Sequence, residues 1–279
     1  FIFLLHDLHP DTLVRRKQAS PKNPVVKLLK KQNEYVFQNA DKVIFVGRDQ
    51  IEYVKENYNI QNEKIEYIPN WSRDLKEDFI KKDEIKEKYY KPGFNILYAG
   101  NFGEAQVDSL KNIFNLMNDK KVKENNVYLI MVGHGRKKDY LVEFAKENNI
   151  ENILFFDYVY DFTEYQNLIH NADCCLVPLR EESKGMSVPS KTYYYLSGGK
   201  PILADVPIGS EIDIVLKEDG CGINLRNCKR EVAIEKLLSL KNDKEFYDEL
   251  CKNARKAFEK KYSKDVALEK YLSVIENLI

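Results

Sequence analysis

The sequence predicts an α/β fold built on parallel, doubly wound sheets, and three observations carry that expectation. Short apolar runs bounded by turn residues alternate with segments of helical period along almost the whole chain. Glycines stand directly after several of those runs, where a strand would give way to a helix. A charged, proline-flanked stretch, PNWSRDLKEDFIKKDEIKEKYYKP (69–92), interrupts the pattern and divides the chain in two.

Taken in order, FIFLL (1–5) is a buried strand whose upstream neighbours are expected to be missing, and KVIFV (42–46) and KIEYI (64–68) are two more. With two helical stretches between them they are too few for a doubly wound domain, so residues 1–72 are expected to be the C-terminal part of a larger one. Residues 73–92 are expected to cross between domains and to form a surface helix. FNILYAG (94–100), VYLIMVG (127–133), ILFFD (153–157), CCLVP (174–178), PILAD (201–205) and CGINL (221–225) then supply the strands of a complete second domain over 93–262. Between them, 107–117 sets Val107, Leu110, Ile113, Phe114 and Met117 on one stripe, as a core-facing helix requires. Residues 137–147 and 164–171 behave likewise; 230–240 and 243–279 are long and charged, with a break expected near Tyr262 and Ser263.

The chain has 279 residues, 43% of them hydrophobic, enough for a buried core and for two compact units. Lys plus Arg and Asp plus Glu both number 44, so no global charge field points to nucleic acid. Locally the balance shifts: Arg15, Arg16, Lys17, Lys22, Lys27, Lys30 and Lys31 face only Asp7 and Asp11 over the first 31 residues. That is either a solvated helix face or a surface drawn to an anionic membrane. No apolar run is long enough to span a bilayer, and FIFLL lacks the flanks of a signal peptide. The five cysteines and four histidines show neither disulfide-framework nor zinc spacing, which fits a reducing cytoplasm; His6, Asp7 and His9 make only a short-range cluster, and no metal is expected.

Three loops are candidates for an anion, because a helix N-terminus after a strand offers free backbone N–H groups and a partial positive charge. The first is Gly100, Asn101, Phe102 and Gly103, followed by Gln106. The second is Gly133, His134 and Gly135. The third is SVPSK (187–191), where Ser190 is expected to cap a helix and Lys191 adds a full charge; Ser187, Val188 and Pro189 lead into it. Each glycine loop alone is better explained by a turn, but three on successive loops of one sheet suggest a diphosphate site. The spacing matches neither the dinucleotide fingerprint nor the phosphate loop of ATPases, so neither class is supported.

The ordered set HD (6–7), IPNW (68–71), YAGNFGEAQ (98–106), VGHG (132–135), NADCCLVPL (171–179) and VPSKTYYYLSGGKPILA (188–204) resembles the family 4 glycosyltransferases, within them the branch that builds bacterial O-antigens, capsules and exopolysaccharides. The resemblance implies the GT-B fold, two Rossmann-like domains facing a cleft, and metal-independent transfer of a sugar from a nucleotide diphosphate donor with retention of configuration. It implies a donor on the second domain, a saccharide or lipid-linked acceptor on the first, and a last helix, 263–279, returning to the first domain. It places the donor diphosphate at Gly100 to Gly103 and at Ser190 and Lys191, the base near Tyr158 and Val159, and His6 and Asp7 facing the cleft to orient the donor sugar or acceptor hydroxyl. The chain departs from the family twice. An Arg and a Lys common in the first glycine loop are matched by Asn101 and Gln106, and the glutamate that binds ribose is matched by Tyr194. Lys191 is therefore expected to carry most of the charge neutralisation. A non-catalytic nucleotide-sugar-binding scaffold and a nucleotide-sugar epimerase of the same architecture stay open at this point.

Overall fold

A computed structural model describes residues 1–75 and 82–278. The first unit alternates β1 (Ile2–Leu5), α1 (Asp11–Arg15), α2 (Pro24–Asn39), β2 (Lys42–Phe45), α3 (Arg48–Asn57) and β3 (Ile65–Tyr67). Its strands pair in parallel in the order β1-β2-β3. Helix α2 starts where Asn23 accepts the Val25 N–H at 2.8 Å and Pro24 fills the first helical position, a pairing that costs no backbone donor.

After α4 (Lys82–Tyr89), the second unit runs β4 (Phe94–Asn101), α5 (Val107–Met117), α6 (Lys120–Glu124), β5 (Val127–His134), α7 (Lys138–Glu147), β6 (Ile153–Phe156), α8 (Phe162–Asn171) and β7 (Cys174–Pro178). It continues with α9 (Lys191–Ser197), β8 (Ile202–Asp205), α10 (Glu211–Asp219), β9 (Gly222–Asn224), α11 (Arg230–Asn242) and α12 (Lys244–Ala257), then a wide turn at Phe258–Tyr262 and α13 (Lys264–Glu276). The described strands thus coincide with the apolar runs of the sequence. They read as unbroken runs because both faces are covered: Ile96 and Tyr98 pack on the side of α5, Leu97 and Ala99 on the side of α9. The α5 stripe is buried as its period requires.

The second sheet is parallel in the order β6-β5-β4-β7-β8-β9, so strand order reverses between β4 and β7. Those two strands pair only at Ile96 with Cys174 and Leu97 with Cys175, and beyond that point they part, opening a crevice at their carboxyl ends.

The chain crosses between units twice, side by side. Ser72 bridges Ser263, donates its N–H to the Tyr262 carbonyl at 3.2 Å and its hydroxyl to the Tyr193 carbonyl at 2.9 Å. Helix α13 then lays Ala267 and Val274 against Ile44 and Ile68 of the first unit. Two further contacts hold the units together. Glu211, at the start of α10, accepts the Arg48 backbone N–H at 2.7 Å, its guanidinium at 2.9 Å and the Tyr67 hydroxyl at 2.6 Å. The loop after β7 buries Met186 completely within the first unit's core, beside Leu8, Phe37 and Phe45, while the Met186 carbonyl accepts the Leu8 N–H.

Candidate active site

The crevice at the reversal of strand order is a cavity of about 530 Å³. Its floor is Ala99, Gly100 and Asn101 at the end of β4, one wall is Ser190 with Lys191 and Tyr194 of α9, and the other is His134 with the loop Tyr158 to Phe162.

Lys191 dominates its electrostatics. The residue is half-buried, but its ammonium nitrogen is closed to solvent and has no hydrogen-bond partner. It stands 3.7 Å from the centre of the Tyr98 ring, whose π face partly offsets the lost hydration. The offset is incomplete, because burial pulls the amine down to about 7. Gly100 makes room for it: a Cβ there would lie 2.6 Å from Nζ, on a backbone with φ of +147° that side chains rarely adopt.

Two neighbouring tyrosines brace this arrangement. Tyr193 and Tyr195 of α9 are both buried in the core, which leaves Tyr194 as the one of the three facing the cavity. The Tyr195 hydroxyl accepts the Ala99 N–H at 3.0 Å and returns a hydrogen bond to its carbonyl at 3.2 Å, occupying backbone groups that β7 has left behind. Tyr195→Phe should therefore cost about 1–3 kcal/mol in denaturant unfolding by orphaning a buried amide; an unchanged midpoint would contradict this bracing role.

The far wall is aromatic. His134 meets Tyr158 edge to face at 4.6 Å between ring centres, and Tyr158 meets Tyr160 at 4.8 Å, so a row of rings leads out to solvent. Phe162 and Tyr165 pack against Tyr194 to close the inner end. Flat, apolar walls with a cation at one end suit a base joined to a phosphate. Tyr160, Asp161, Phe162 and Tyr165 were not anticipated, although aromatics at alternate positions 158, 160 and 162 directly after a strand were visible in the sequence. Asp161 also caps α8 by accepting the Glu164 N–H at 2.7 Å.

Of the candidates from the sequence, Gly100, Asn101, His134, Tyr158, Val159, Ser190, Lys191 and Tyr194 line the cavity together. The others do not, for identifiable reasons. Phe102 is fully buried against Tyr98 and Phe155, and its N–H already donates to the His134 carbonyl at 2.7 Å. The Gly103 N–H is taken by the Gln106 side-chain carbonyl at 3.2 Å, so that backbone donor is not free for a phosphate, and Gln106 lies outside the cavity lining. Gly133 and Gly135 have φ of +152° and +142°, and a Cβ on either would collide with backbone of the first glycine loop; they are glycines so that two loops can touch. Ser190 precedes α9 without a side-chain capping bond. Val188 reaches across to Gly47 of the first unit, and with Ser187 and Pro189 forms the approach to α9 outside the cavity. Glu104 is exposed and paired with Lys137 at 2.8 Å, which removes its opposition to an anion. His6 and Asp7 stand exposed just past the carboxyl end of β1 and outside the cavity lining. Among the described residues no group of three or more His, Cys, Asp or Glu side chains is placed to hold a metal ion.

Comparison with known proteins places this geometry. The family model described as "Glycosyl transferases group 1" matches residues 76–257. The probable glycosyltransferase WbjE of Pseudomonas aeruginosa is 26% identical over 295 residues, covering 100% of this chain and 68% of its own length. The crystal structure of WaaG, a glycosyltransferase involved in lipopolysaccharide biosynthesis, superposes with a TM-score of 0.73 at 14% identity, over 98% of this chain and 73% of WaaG. Anabaena HepE in complex with UDP-glucose superposes with a TM-score of 0.70 at 15% identity, over 99% of this chain and 71% of HepE. With the family model covering well over half of its length, the chain belongs to the group 1 glycosyl transferases and is a glycosyltransferase of GT-B fold.

Proposed function

We propose that the protein moves a sugar, with retention of configuration, from a nucleotide diphosphate donor in the Lys191 cavity to a saccharide or lipid-linked acceptor in bacterial surface polysaccharide synthesis. The observation that carries this reading is the Lys191 ammonium, buried beside Gly100 without a partner, at the end of an aromatic slot. As the bond from the anomeric carbon to the diphosphate oxygen breaks, negative charge gathers on the leaving group, and a desolvated ammonium stabilises that charge more than the ground state. The acceptor oxygen bonds to the same face of the sugar and passes its proton to the departing phosphate oxygen, so no separate protein base is required. His6 and Asp7 would orient the acceptor hydroxyl from the end of β1. Lys191 supplies the charge that a divalent ion would otherwise bring, so turnover is proposed to be metal-independent.

The test follows from the titration of Lys191. Its amine is lowered to about 7, so above that pH the free protein holds it neutral and must take up a proton to receive a diphosphate. Calorimetric titration with UDP should show affinity roughly constant below pH 7 and falling by about tenfold per unit above it, with proton uptake on binding. Absence of UDP binding across pH 6–9 would reject the donor cavity.

The acceptor side supports a place at the cytoplasmic face of the membrane. No described helix is long and apolar enough to cross a bilayer. Helix α2 instead exposes Val25 and Leu28 next to Lys22, Lys27 and Lys31, an apolar and basic surface suited to an anionic lipid interface. Co-sedimentation with phosphatidylglycerol vesicles is expected at low salt, weakened by high salt and by Val25→Ser with Leu28→Ser; salt-independent or absent binding would count against it.

A further inference from the structure

Four consecutive residues of the loop between β7 and α9 are held by the first unit. The Arg16 guanidinium donates to the Ser183 hydroxyl at 3.2 Å and that of Arg15 to the Lys184 carbonyl; the Gly185 N–H donates to Asp49 Oδ2 at 2.7 Å, and the Leu8 N–H to the Met186 carbonyl at 3.1 Å. Asp49, in the first turn of α3, is the innermost of these side chains, 3% exposed, whereas Arg15 is exposed and Arg16 half-buried. Its partner has to be glycine. Gly185 sits at φ of +72°, and a Cβ there would come within 3.0 Å of the Asp49 carbonyl and 3.1 Å of the Tyr53 Cβ.

Burial pushes the Asp49 carboxyl up to about 6, the Gly185 N–H pulling it back and the Glu211 charge adding to the rise. At neutral pH the group is still an anion, so its bond to Gly185 is of the stronger, charge-assisted kind. A neutral side chain would be easier to bury. The charge gains a firmer hold on one point of the loop.

What that hold governs lies six residues further on. The Lys191 ammonium has no hydrogen bond of its own, so its place over the Tyr98 ring is set by the backbone that carries it. On one side that backbone is α9, anchored in the core by Tyr193 and Tyr195. On the other it is the stretch 187–190. Among the described residues, the one backbone hydrogen bond that this stretch donates, from Ser187 to the Ser183 carbonyl at 3.4 Å, runs back to the held segment and not to the second sheet.

We propose that Asp49 is a positioning residue for the transfer: through Gly185 it fixes the loop that delivers Lys191 to the donor diphosphate. This rests on the reading that the donor fills the Lys191 cavity. Asp49 acts on orientation and touches no substrate.

The test uses the whole chain. Without nucleotide, the protein is treated with acetic anhydride and acylation of Lys191 is followed by peptide mass spectrometry, while thiol labelling of Cys174 and Cys175, both fully buried in β7, reports opening of the second unit as a whole. Asp49→Ala is expected to raise the Lys191 rate at least about tenfold and to leave both thiols unchanged, as loss of a charge-assisted hydrogen bond that guards a local opening implies. Asp49→Asn keeps an acceptor for the Gly185 N–H but no charge, and should raise it only about threefold. In calorimetry, UDP should bind Asp49→Ala about tenfold more weakly than wild type. Unchanged Lys191 acylation in the variants overturns the proposal. A rise shared equally by Cys174 and Cys175 also overturns it, since Asp49 would then support the fold alone. Full UDP affinity in Asp49→Ala despite faster acylation does the same, because the hold on the loop would not serve the donor. If UDP fails to bind the wild type, the donor reading falls, and the acylation rates still decide whether Asp49 holds Lys191 in place. Should Asp49→Ala not fold, Asp49→Asn carries the test through the same rates.

Discussion

Lys191→Met is expected to lower turnover by about 10²- to 10³-fold and, in the same protein, to raise the melting temperature without nucleotide. The first effect follows, on the proposed reading, from removing the one Lys or Arg among the residues that line the cavity. The second follows from the sign of the titration. The folded-state amine, at about 7, lies below the ordinary lysine value, so between the two the unfolded chain binds more protons and stability rises with pH. At pH 7 to 8 the unliganded fold therefore bears the strain of burying this group, and a methionine of similar length, still packed on Tyr98, relieves it. Nucleotide should reverse the order, raising the melting temperature of the wild type and leaving the variant unmoved. Near-wild-type turnover, or a variant that melts lower without ligand, would remove Lys191 from its assigned role.

Glu211→Ala should destabilise the protein by about 3 kcal/mol, the lower end of the cost of breaking a buried ion pair. Glu211 is 1% exposed and meets Arg48 through backbone and guanidinium as well as Tyr67. Removing it strands a partly buried cation and uncovers the first N–H of α3. The estimate is set low because Arg48 keeps Glu218 at 2.6 Å in a more exposed position. Glu211→Gln, which keeps acceptors but not the charge, should fall between. Chemical denaturation measures both, and a loss below about 1 kcal/mol for the alanine variant would show that the two units are held mainly elsewhere.

The sequence made the sheets legible because strands covered on both faces need no polar alternation: FNILYAG and VYLIMVG carry their burial in plain composition. The position of Lys191 was legible too, from the loop, helix and strand that follow one another around it. Its chemistry was not. A lysine at a helix start looks the same in sequence whether its amine is solvated or packed on Tyr98, 93 positions earlier in the chain. Glycine loops misled for a similar reason. A missing side chain leaves room either for a phosphate or for a neighbouring backbone, and at Gly133 and Gly135 the neighbour is the first glycine loop itself. Phe102 and Gln106 were drawn into the site by their place in the motif; packing buries Phe102, and Gln106 turns its side-chain carbonyl onto the Gly103 N–H. The aromatic slot escaped because its rings come from β5, the 158–162 loop, α8 and α9, segments joined only by the fold.

Met186 sets a mechanical condition on all of this. It is lodged in one body while Lys191, five residues further on, serves the other, and a stretch of that length extends to at most about 18 Å. Any tilt that parts the two bodies must either unplug the methionine or tug the tether that carries the ammonium. On the proposed reading of the cavity, hinge opening and release of the spent nucleotide would be geared to one another through this tether.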